Sequence, residues 1–184
     1  MDDWYGVRHF TSTFGYVVKT VDVAALEIAA KRVAEKWRLI AGRVEWNTVE
    51  KSYQVRVPLS DSLPKGYALT KFTMEKMTST ELPIASVKEN SAQFLEKPPI
   101  TYFRHPTTLN SLHDYASKHA PILSIHVSLL ANCACVGITI PHGIFDGMGM
   151  SQVVEGLNCM LNNVPWAPPN ADWIFGYGRE VERA

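Results

Sequence analysis

Hydrophobic residues recur along this chain at two spacings, and each spacing predicts one kind of element. Residues 14–20, Phe-Gly-Tyr-Val-Val-Lys-Thr, are typical of a strand, and Asp22 follows as a good helix N-cap. Glu27 and Lys31 then form an i,i+4 pair, and Gly42 is placed to end the helix. Apolar side chains return every three or four residues, which predicts one buried helix face made of Val23, Leu26, Ala30, Val33, Trp37 and Ile40.

Alternating segments predict strands in the middle of the chain. Residues 43–47 and 53–57 alternate between apolar and polar side chains, and a polar stretch separates them, so we expect a hairpin. Residues 68–77 predict a further strand. Prolines interrupt residues 78–106, where we expect loops and a short helix near residues 86–95.

The last third of the chain predicts a helix, a second hairpin and another helix. Residues 109–116 fit the first helix, and residues 122–130 and 133–140 are two apolar strands joined by a short turn. Prolines end the final helix at Pro165, Pro168 and Pro169, and its predicted apolar face is Met150, Val153, Val154, Leu157, Met160 and Leu161. A small apolar patch, residues 173–175, follows these prolines.

This order of elements predicts the fold class. Strands alternate with helices but also pair in hairpins, so we expect an α/β protein of the two-layer α+β type, a mixed β-sheet with helices packed on it. A length of 184 residues fits one sizeable core. We predict a domain over residues 1–164 and a Pro-rich tail over residues 165–184.

Charge and cysteine content exclude several kinds of partner. The 18 basic residues balance the 18 acidic ones, so no field of one sign favours nucleic acid or an anionic membrane. Cys133, Cys135 and Cys159 lack the spacing of a metal site, and we expect no metal and buried thiols in a reducing compartment. The first residues resemble no secretory signal, so the expected location is the cytoplasm.

The strongest candidate for chemistry is the segment Pro-His-Gly-Ile-Phe-Asp-Gly at residues 141–147. An apolar strand precedes it and an amphipathic helix follows it. A histidine at the end of a buried strand is held rigidly, and its pKa near neutrality lets it accept or give a proton. His142 is therefore a candidate general base, whereas Asp146 alone also fits a simple helix cap.

His142-x-x-x-Asp146-Gly147 after an apolar strand resembles the motif of the CoA-dependent acyltransferases of the chloramphenicol acetyltransferase fold, which include the BAHD acyltransferases of plants and fungi. Residues 37–44, Trp-Arg-Leu-Ile-Ala-Gly-Arg-Val, resemble the Leu-Ala-Gly-Arg-Leu turn of BAHD members. The order of elements over residues 10–163 is similar to the amino-terminal lobe of that family. Residues 109–115 and 121–127 resemble the segment that leads into the motif in its fungal members.

This resemblance implies an activity and a role for each motif residue. It implies transfer of an acyl group from acyl-CoA, as co-substrate and with no permanently bound cofactor, to a hydroxyl or amine of a small metabolite, as in secondary metabolism. His142 would be the catalytic base. Asp146 and Gly147 would be structural, with Arg43 or Arg8 as the arginine partner of the aspartate.

The sequence also departs from the family. BAHD enzymes have two lobes, and the Asp-Phe-Gly-Trp-Gly motif of the second lobe does not occur here. We therefore expect a half-length member, with residues 165–184 as a truncated linker between lobes. A homo-oligomer or a complementary second lobe would complete its site, as chloramphenicol acetyltransferase completes its own in a trimer.

Two alternatives stay open at this point. One is a catalytically incomplete half-domain that binds a ligand or a partner. The other is a fragment of a condensation-type domain of a peptide synthetase, although Pro141 stands where those domains have a first histidine. His126, inside the strand paired with the motif strand, is predicted to be a hydrogen-bonded sheet residue. Ser124 and Ser128 lack the Gly-x-Ser-x-Gly elbow of a serine hydrolase.

Overall fold

A computed structural model describes residues 11–58, 63–82 and 98–169. Its helices are α1 (Val23–Lys36), α2 (Arg38–Ala41), α3 (Leu112–Lys118) and α4 (Gly147–Leu161), with a single 3-10 turn at Ile100–Tyr102. Its strands are β1 (Thr11–Val18), β2 (Arg43–Asn47), β3 (Ser52–Arg56), β4 (Lys71–Met77), β5 (Ser124–Leu130) and β6 (Ala134–Pro141). Both predicted hairpins are confirmed.

Four of these strands form one mixed sheet in the order β1–β6–β5–β4. β6 lies antiparallel to both β1 and β5, whereas β4 runs parallel to β5. β2 and β3 form a separate two-stranded ribbon. The predicted mixed sheet with helices packed on it is therefore confirmed.

One face of the sheet carries the main core. Ile125 and Val127 of β5 and Ile138 of β6 point to this face, where α1 and α4 pack against each other. α1 begins as predicted, because the Asp22 carboxylate accepts a hydrogen bond from the Ala25 N–H at 3.0 Å. The predicted Glu27–Lys31 ion pair forms at 2.7 Å.

The opposite face of the sheet carries several polar side chains beside a small apolar cluster around Phe103 and Cys135. Ser124, His126 and Ser128 of β5 and Thr139 of β6 lie on it, and all four are buried. They are buried because residues 98–110, which we call the covering segment, lie across them. Phe103 packs so closely on the sheet that a side chain at Gly137 would collide with the Phe103 carbonyl group.

The prediction of one continuous helix as far as Gly42 is wrong, because the helix is interrupted at Trp37. α1 ends at Lys36, and Trp37 adopts φ −106° and ψ 84° before α2 begins. The Trp37 ring contacts Phe145 at 5.4 Å and Trp166 at 6.2 Å between centroids. At the break, these contacts hold the indole in the core.

One further prediction is confirmed only in part, and two others fall outside the described residues. α3 begins at Leu112 with Ser111 as its N-cap, so Leu109 lies outside the helix. The helix expected at residues 86–95 and the apolar patch at residues 173–175 fall outside the described residues. Within the described ranges, no helix is both long and apolar enough to cross a bilayer.

Candidate active site

The motif loop, residues 141–147, leaves the sheet where β6 ends. Every residue of β6 is buried, so the strand that leads into His142 is held on both faces. The Ile144 and Phe145 N–H groups both donate to the Pro141 carbonyl, at 3.1 Å and 3.2 Å. The loop is therefore a hydrogen-bonded turn at the end of a fully buried strand.

His142 is exposed at the start of this turn. Within the described residues its ring makes no hydrogen bond and belongs to no ion pair, so both nitrogens remain open to a ligand. His142 does not line either of two cavities found among the described residues. One cavity of about 560 Å³ lies between the β2–β3 ribbon and α3, and another of about 240 Å³ borders β4 and β5. The described residues thus hold His142 on a surface rather than inside a pocket.

Asp146 caps the helix that follows the loop. Its Oδ1 accepts a hydrogen bond from the Gly149 N–H at 2.8 Å, and its own carbonyl accepts from the Met150 N–H at 3.0 Å. An N-cap carboxylate satisfies a backbone donor that the helix itself leaves free, and it also lies favourably in the dipole of α4. The side chain therefore has a structural task within its own loop.

Of the two arginines expected to pair with Asp146, only Arg43 lies within the described residues. Arg43 donates to the carbonyls of Ala41, Gly42 and Ala68, and its guanidinium lies 4.0 Å from the centre of the Tyr67 ring. Among the described residues, Arg43 forms no ion pair with Asp146. Arg8 lies outside the described residues.

Two glycines at the start of α4, Gly147 and Gly149, differ in how closely other atoms approach them. Gly147 is the first residue of α4, it does not have a positive φ, and a side chain there would meet no atom within 4 Å. Gly149 is tighter, because a Cβ would approach Phe145 Cδ1 at 3.0 Å. The steric requirement thus falls on Gly149 rather than on Gly147.

Phe145 is the residue of the motif that sequence reasoning missed. Its side chain is 1% exposed and packs edge-on against Trp37, so it ties the loop to the core. The sequence contains a signal for this burial, because Phe145 is a large apolar side chain between the polar motif residues His142 and Asp146. Trp37 in turn contacts Trp166, so the core extends two residues past the predicted domain end at residue 164.

His126 is a hydrogen-bonded sheet residue, as predicted. Its Nδ1 lies 2.9 Å from Thr73 Oγ1 and its Nε2 lies 3.1 Å from Ser128 Oγ. Burial lowers the pKa of the His126 imidazole, and the His105 ring, 5.5 Å away between centroids, lowers it further. His126 therefore favours the neutral state in the folded protein.

The cysteines are free, and their surroundings suit packing. Cys133 and Cys135 are buried and Cys159 is partly buried. Burial raises the pKa of the Cys135 thiol to about 11, which keeps it protonated and unreactive. The prediction of small buried hydrophobic residues is confirmed for Cys133 and Cys135.

Comparison with known proteins gives one partial sequence match and many matches of fold. No protein-family model matches the sequence. A stretch of 54 residues, 29% of this chain, is 39% identical to the acetyltransferase BOT5 of Botryotinia fuckeliana and covers 10% of that protein.

The solved structures share the architecture at low identity. TRI101 of F. sporotrichioides, in complex with coenzyme A and T-2, matches 89% of this chain with a TM-score of 0.58 and 13% identity. The epimerization domain from the third module of tyrocidine synthetase B matches 85% of the chain with a TM-score of 0.59 and 9% identity. This chain spans only 40% of the first protein and 30% of the second.

These matches agree with the mixed sheet, the helices on one face and the order of elements described above. At such identities they establish the architecture, and the fold by itself does not separate acyltransferases from synthetase domains. The partial match to an acetyltransferase agrees with the acyltransferase resemblance. The chain thus shares the fold of one part of TRI101 and of the tyrocidine synthetase epimerization domain, a mixed sheet with helices packed on it.

Proposed function

We propose that this chain is the catalytic half of a CoA-dependent acyltransferase, which transfers an acyl group to a hydroxyl or amine of a small metabolite in the cytoplasm. The partial match to an acetyltransferase and the fold match to TRI101, crystallised with coenzyme A and T-2, support this class. The observation that carries the proposal is the position of His142, exposed and without a described hydrogen bond, on a turn that a fully buried strand holds in place.

The proposed chemistry needs one group that accepts and returns a proton. The acceptor oxygen or nitrogen attacks the thioester carbonyl of acyl-CoA while the imidazole of His142 takes its proton. The carbon–sulfur bond then breaks, and the imidazolium returns the proton to the thiolate, which leaves as free coenzyme A. Such proton transfer typically contributes about 10²–10⁴-fold to a rate.

Asp146 serves this chemistry only through position. Because its carboxylate is bonded to the Gly149 N–H, it fixes the first turn of α4 and the end of the loop that carries His142. Phe145 fixes the middle of the same loop from the core side. We assign both as positioning residues and His142 as the catalytic one.

The other half of the site must come from another surface. This chain spans 40% of the length of TRI101, and His142 borders neither described cavity. We propose that a second copy of this chain or a complementary lobe supplies the remaining wall and the groups that stabilise the oxyanion. Light scattering at micromolar concentration tests the first case, since a strict monomer would exclude a site shared between copies.

The decisive experiment follows thiol release from acetyl-CoA and malonyl-CoA with a panel of alcohols and amines. His142→Ala should lower the rate by about 10²–10⁴-fold. His113→Ala is the matched control, because His113 is an exposed histidine on α3 and should leave the rate unchanged. Release that persists in His142→Ala would exclude His142 as the base.

The same assay separates the proposal from a binding module. Release with at least one acceptor supports the enzyme. If no acceptor gives release while calorimetry detects binding of coenzyme A, the chain is a catalytically incomplete half-domain, and the catalytic proposal fails.

A further inference from the structure

The larger of the two cavities described above lies between the β2–β3 ribbon and α3, and its volume is about 560 Å³. We call it the aromatic cavity, because Trp46 of β2 and Tyr53 of β3 line it. Ala116 and Ser117 of α3 and His119 at the end of that helix also line it. Sites for small molecules typically measure about 300–1,000 Å³, so this cavity has room for a ligand of one or two rings.

Trp46 is only half covered by the protein, although its position on the strand faces the interior. Side chains two residues apart lie on the same face of a strand, so Trp46 shares a face with Val44. Val44 is fully buried in the core, whereas 48% of Trp46 is exposed. The indole thus borders the aromatic cavity at a point where the neighbouring side chain borders the core.

Tyr53 holds the indole in one orientation. The two residues are cross-strand partners in the ribbon, and their ring centroids lie 4.8 Å apart with the planes at 65°. This edge-to-face contact is favourable and fixes the Trp46 ring without covering all of it. The two rings form a corner that exists before any ligand arrives, so binding costs little ordering of the protein.

His119 supplies an independent observation. Its backbone is left-handed, with φ 45° and ψ 42°, at a position after a helix where glycine is the usual residue. Among the described residues its ring makes no hydrogen bond and no ion pair. A neutral imidazole has one donor and one acceptor nitrogen. The chain therefore keeps an imidazole beside the aromatic pair at a position where the backbone favours glycine.

The charge around the aromatic cavity favours an uncharged ligand. Glu45 is the only acidic residue that lines the cavity, and no lysine or arginine lines it. The Glu45 carboxylate is already paired with the Arg56 guanidinium at 3.1 Å. The lining thus leaves neither a free carboxylate nor a cationic side chain of lysine or arginine for a charged ligand.

We propose that the aromatic cavity binds a small, planar aromatic molecule that carries a hydroxyl group and no net charge. The ligand ring lies against the exposed part of the Trp46 indole, and its hydroxyl group exchanges a hydrogen bond with the imidazole of His119. His142 does not line this cavity, so the site goes beyond the proposed acyl transfer and does not depend on it.

Isothermal titration of the full chain with 2-naphthol tests the site, because this probe is planar, hydroxylated and uncharged. We expect a Kd below about 1 mM. Decahydro-2-naphthol is the matched control ligand, since it has the same carbon skeleton and hydroxyl group but no aromatic ring. It should bind about tenfold more weakly, because it offers no ring to the indole.

Variants of Trp46 locate the binding. Trp46→Leu should weaken the binding of 2-naphthol by about tenfold, whereas Trp46→Phe keeps an aromatic face and should stay within about threefold of the parent chain. Phe14→Leu is the matched control, because Phe14 is a strand aromatic that is 40% exposed and lies outside the cavity. It should leave the affinity unchanged.

His119→Gly separates binding from stability. Glycine adopts the left-handed backbone without strain, so the variant should melt no lower than the parent chain. It should nevertheless weaken the binding of 2-naphthol by about fivefold, because one hydrogen bond to the ligand is lost. An unchanged affinity would overturn the contact with the imidazole.

Three further results would overturn the proposal. One is a Kd for 2-naphthol above about 1 mM. Another is binding that is equally tight for decahydro-2-naphthol or in Trp46→Leu. The third is self-association in light scattering that Trp46→Leu abolishes, since this result would assign the indole to a contact between copies of the chain. Selective loss in Trp46→Leu and His119→Gly, with Phe14→Leu unchanged, supports the site.

Discussion

Two histidines, one inside β5 and one just past the end of β6, occupy opposite environments. His126, inside β5, is 2% exposed and has both ring nitrogens within hydrogen-bond distance of hydroxyl groups. His142, just past the end of β6, is exposed and makes no hydrogen bond within the described residues. An imidazole whose two nitrogens are occupied in the interior supports the fold, whereas an open imidazole on a fixed turn is available for proton transfer.

The two regions are also held in place differently. His126 is part of the network that fixes it, through Thr73 on one side and Ser128 on the other. Among the described residues, the His142 side chain makes no hydrogen bond that holds its own loop, which depends on Phe145 in the core and Asp146 at the helix cap. Substitutions should therefore separate stability from activity in the loop but not in the strand.

The largest expected effect on stability is at Phe145. Phe145→Ala removes a fully buried ring that contacts Trp37, and should lower the free energy of unfolding by about 3–5 kcal/mol. Denaturant unfolding measures it. Met148→Ala is the control from the start of α4, because Met148 is 72% exposed and should change stability by less than about 0.5 kcal/mol. Equal, small effects for both variants would show that the loop is not anchored in the core.

The next effect tests the interior histidine directly. His126→Ala removes the partner of the buried Ser128 hydroxyl, while the Thr73 hydroxyl keeps its bond to the Ile125 carbonyl, and should cost about 1–3 kcal/mol of unfolding free energy. His142→Ala, on the neighbouring strand end, should change stability by less than about 0.5 kcal/mol. The contrast between the two histidines fails if both variants unfold at the same denaturant concentration.

Local patterns predicted much of this fold, because they depend on neighbours in sequence. The Asp22 cap, the β2–β3 ribbon and the β5–β6 hairpin each follow from residues within a few positions of one another. The strand end that carries His142 was predictable for the same reason. An apolar run followed by a turn and an amphipathic repeat leaves few alternatives.

The features that escaped prediction depend on contacts between distant segments. At the break between α1 and α2, Trp37 packs against Phe145 and Trp166, which lie more than a hundred residues away in sequence. The polar face of the sheet is buried only because the covering segment lies on it, and no periodicity in β5 reports that. The spacing of apolar residues predicts which face of a helix or strand is buried, but it does not predict which segment packs against that face.

A smaller effect distinguishes a helix cap from an ion pair at Asp146. Asp146→Ala should cost about 1 kcal/mol, and Asp146→Asn should recover most of it, because asparagine caps helices nearly as well as aspartate. Thermal unfolding of the two variants gives the comparison. Asparagine carries no charge, so a failure to recover would show that the negative charge itself stabilises the loop, through the dipole of α4 or a basic partner, and not the cap hydrogen bond alone.

The smallest effect is the pH dependence that His126 contributes. Burial and the charge of His105 on the covering segment lower its pKa, and Glu75 of β4 opposes them only in part. The unfolded chain therefore binds more protons near the ordinary pKa of about 6.5, so stability falls as the pH drops below that value. Between pH 7 and pH 6 the loss should stay under about 1 kcal/mol, and it should disappear from the difference curve in His126→Ala. His105→Ala should make the loss smaller, because it removes the repulsion that disfavours protonated His126. A pH profile that His126→Ala leaves unchanged would mean that the folded and unfolded pKa values of His126 coincide, and this result would remove the electrostatic part of the contrast with His142.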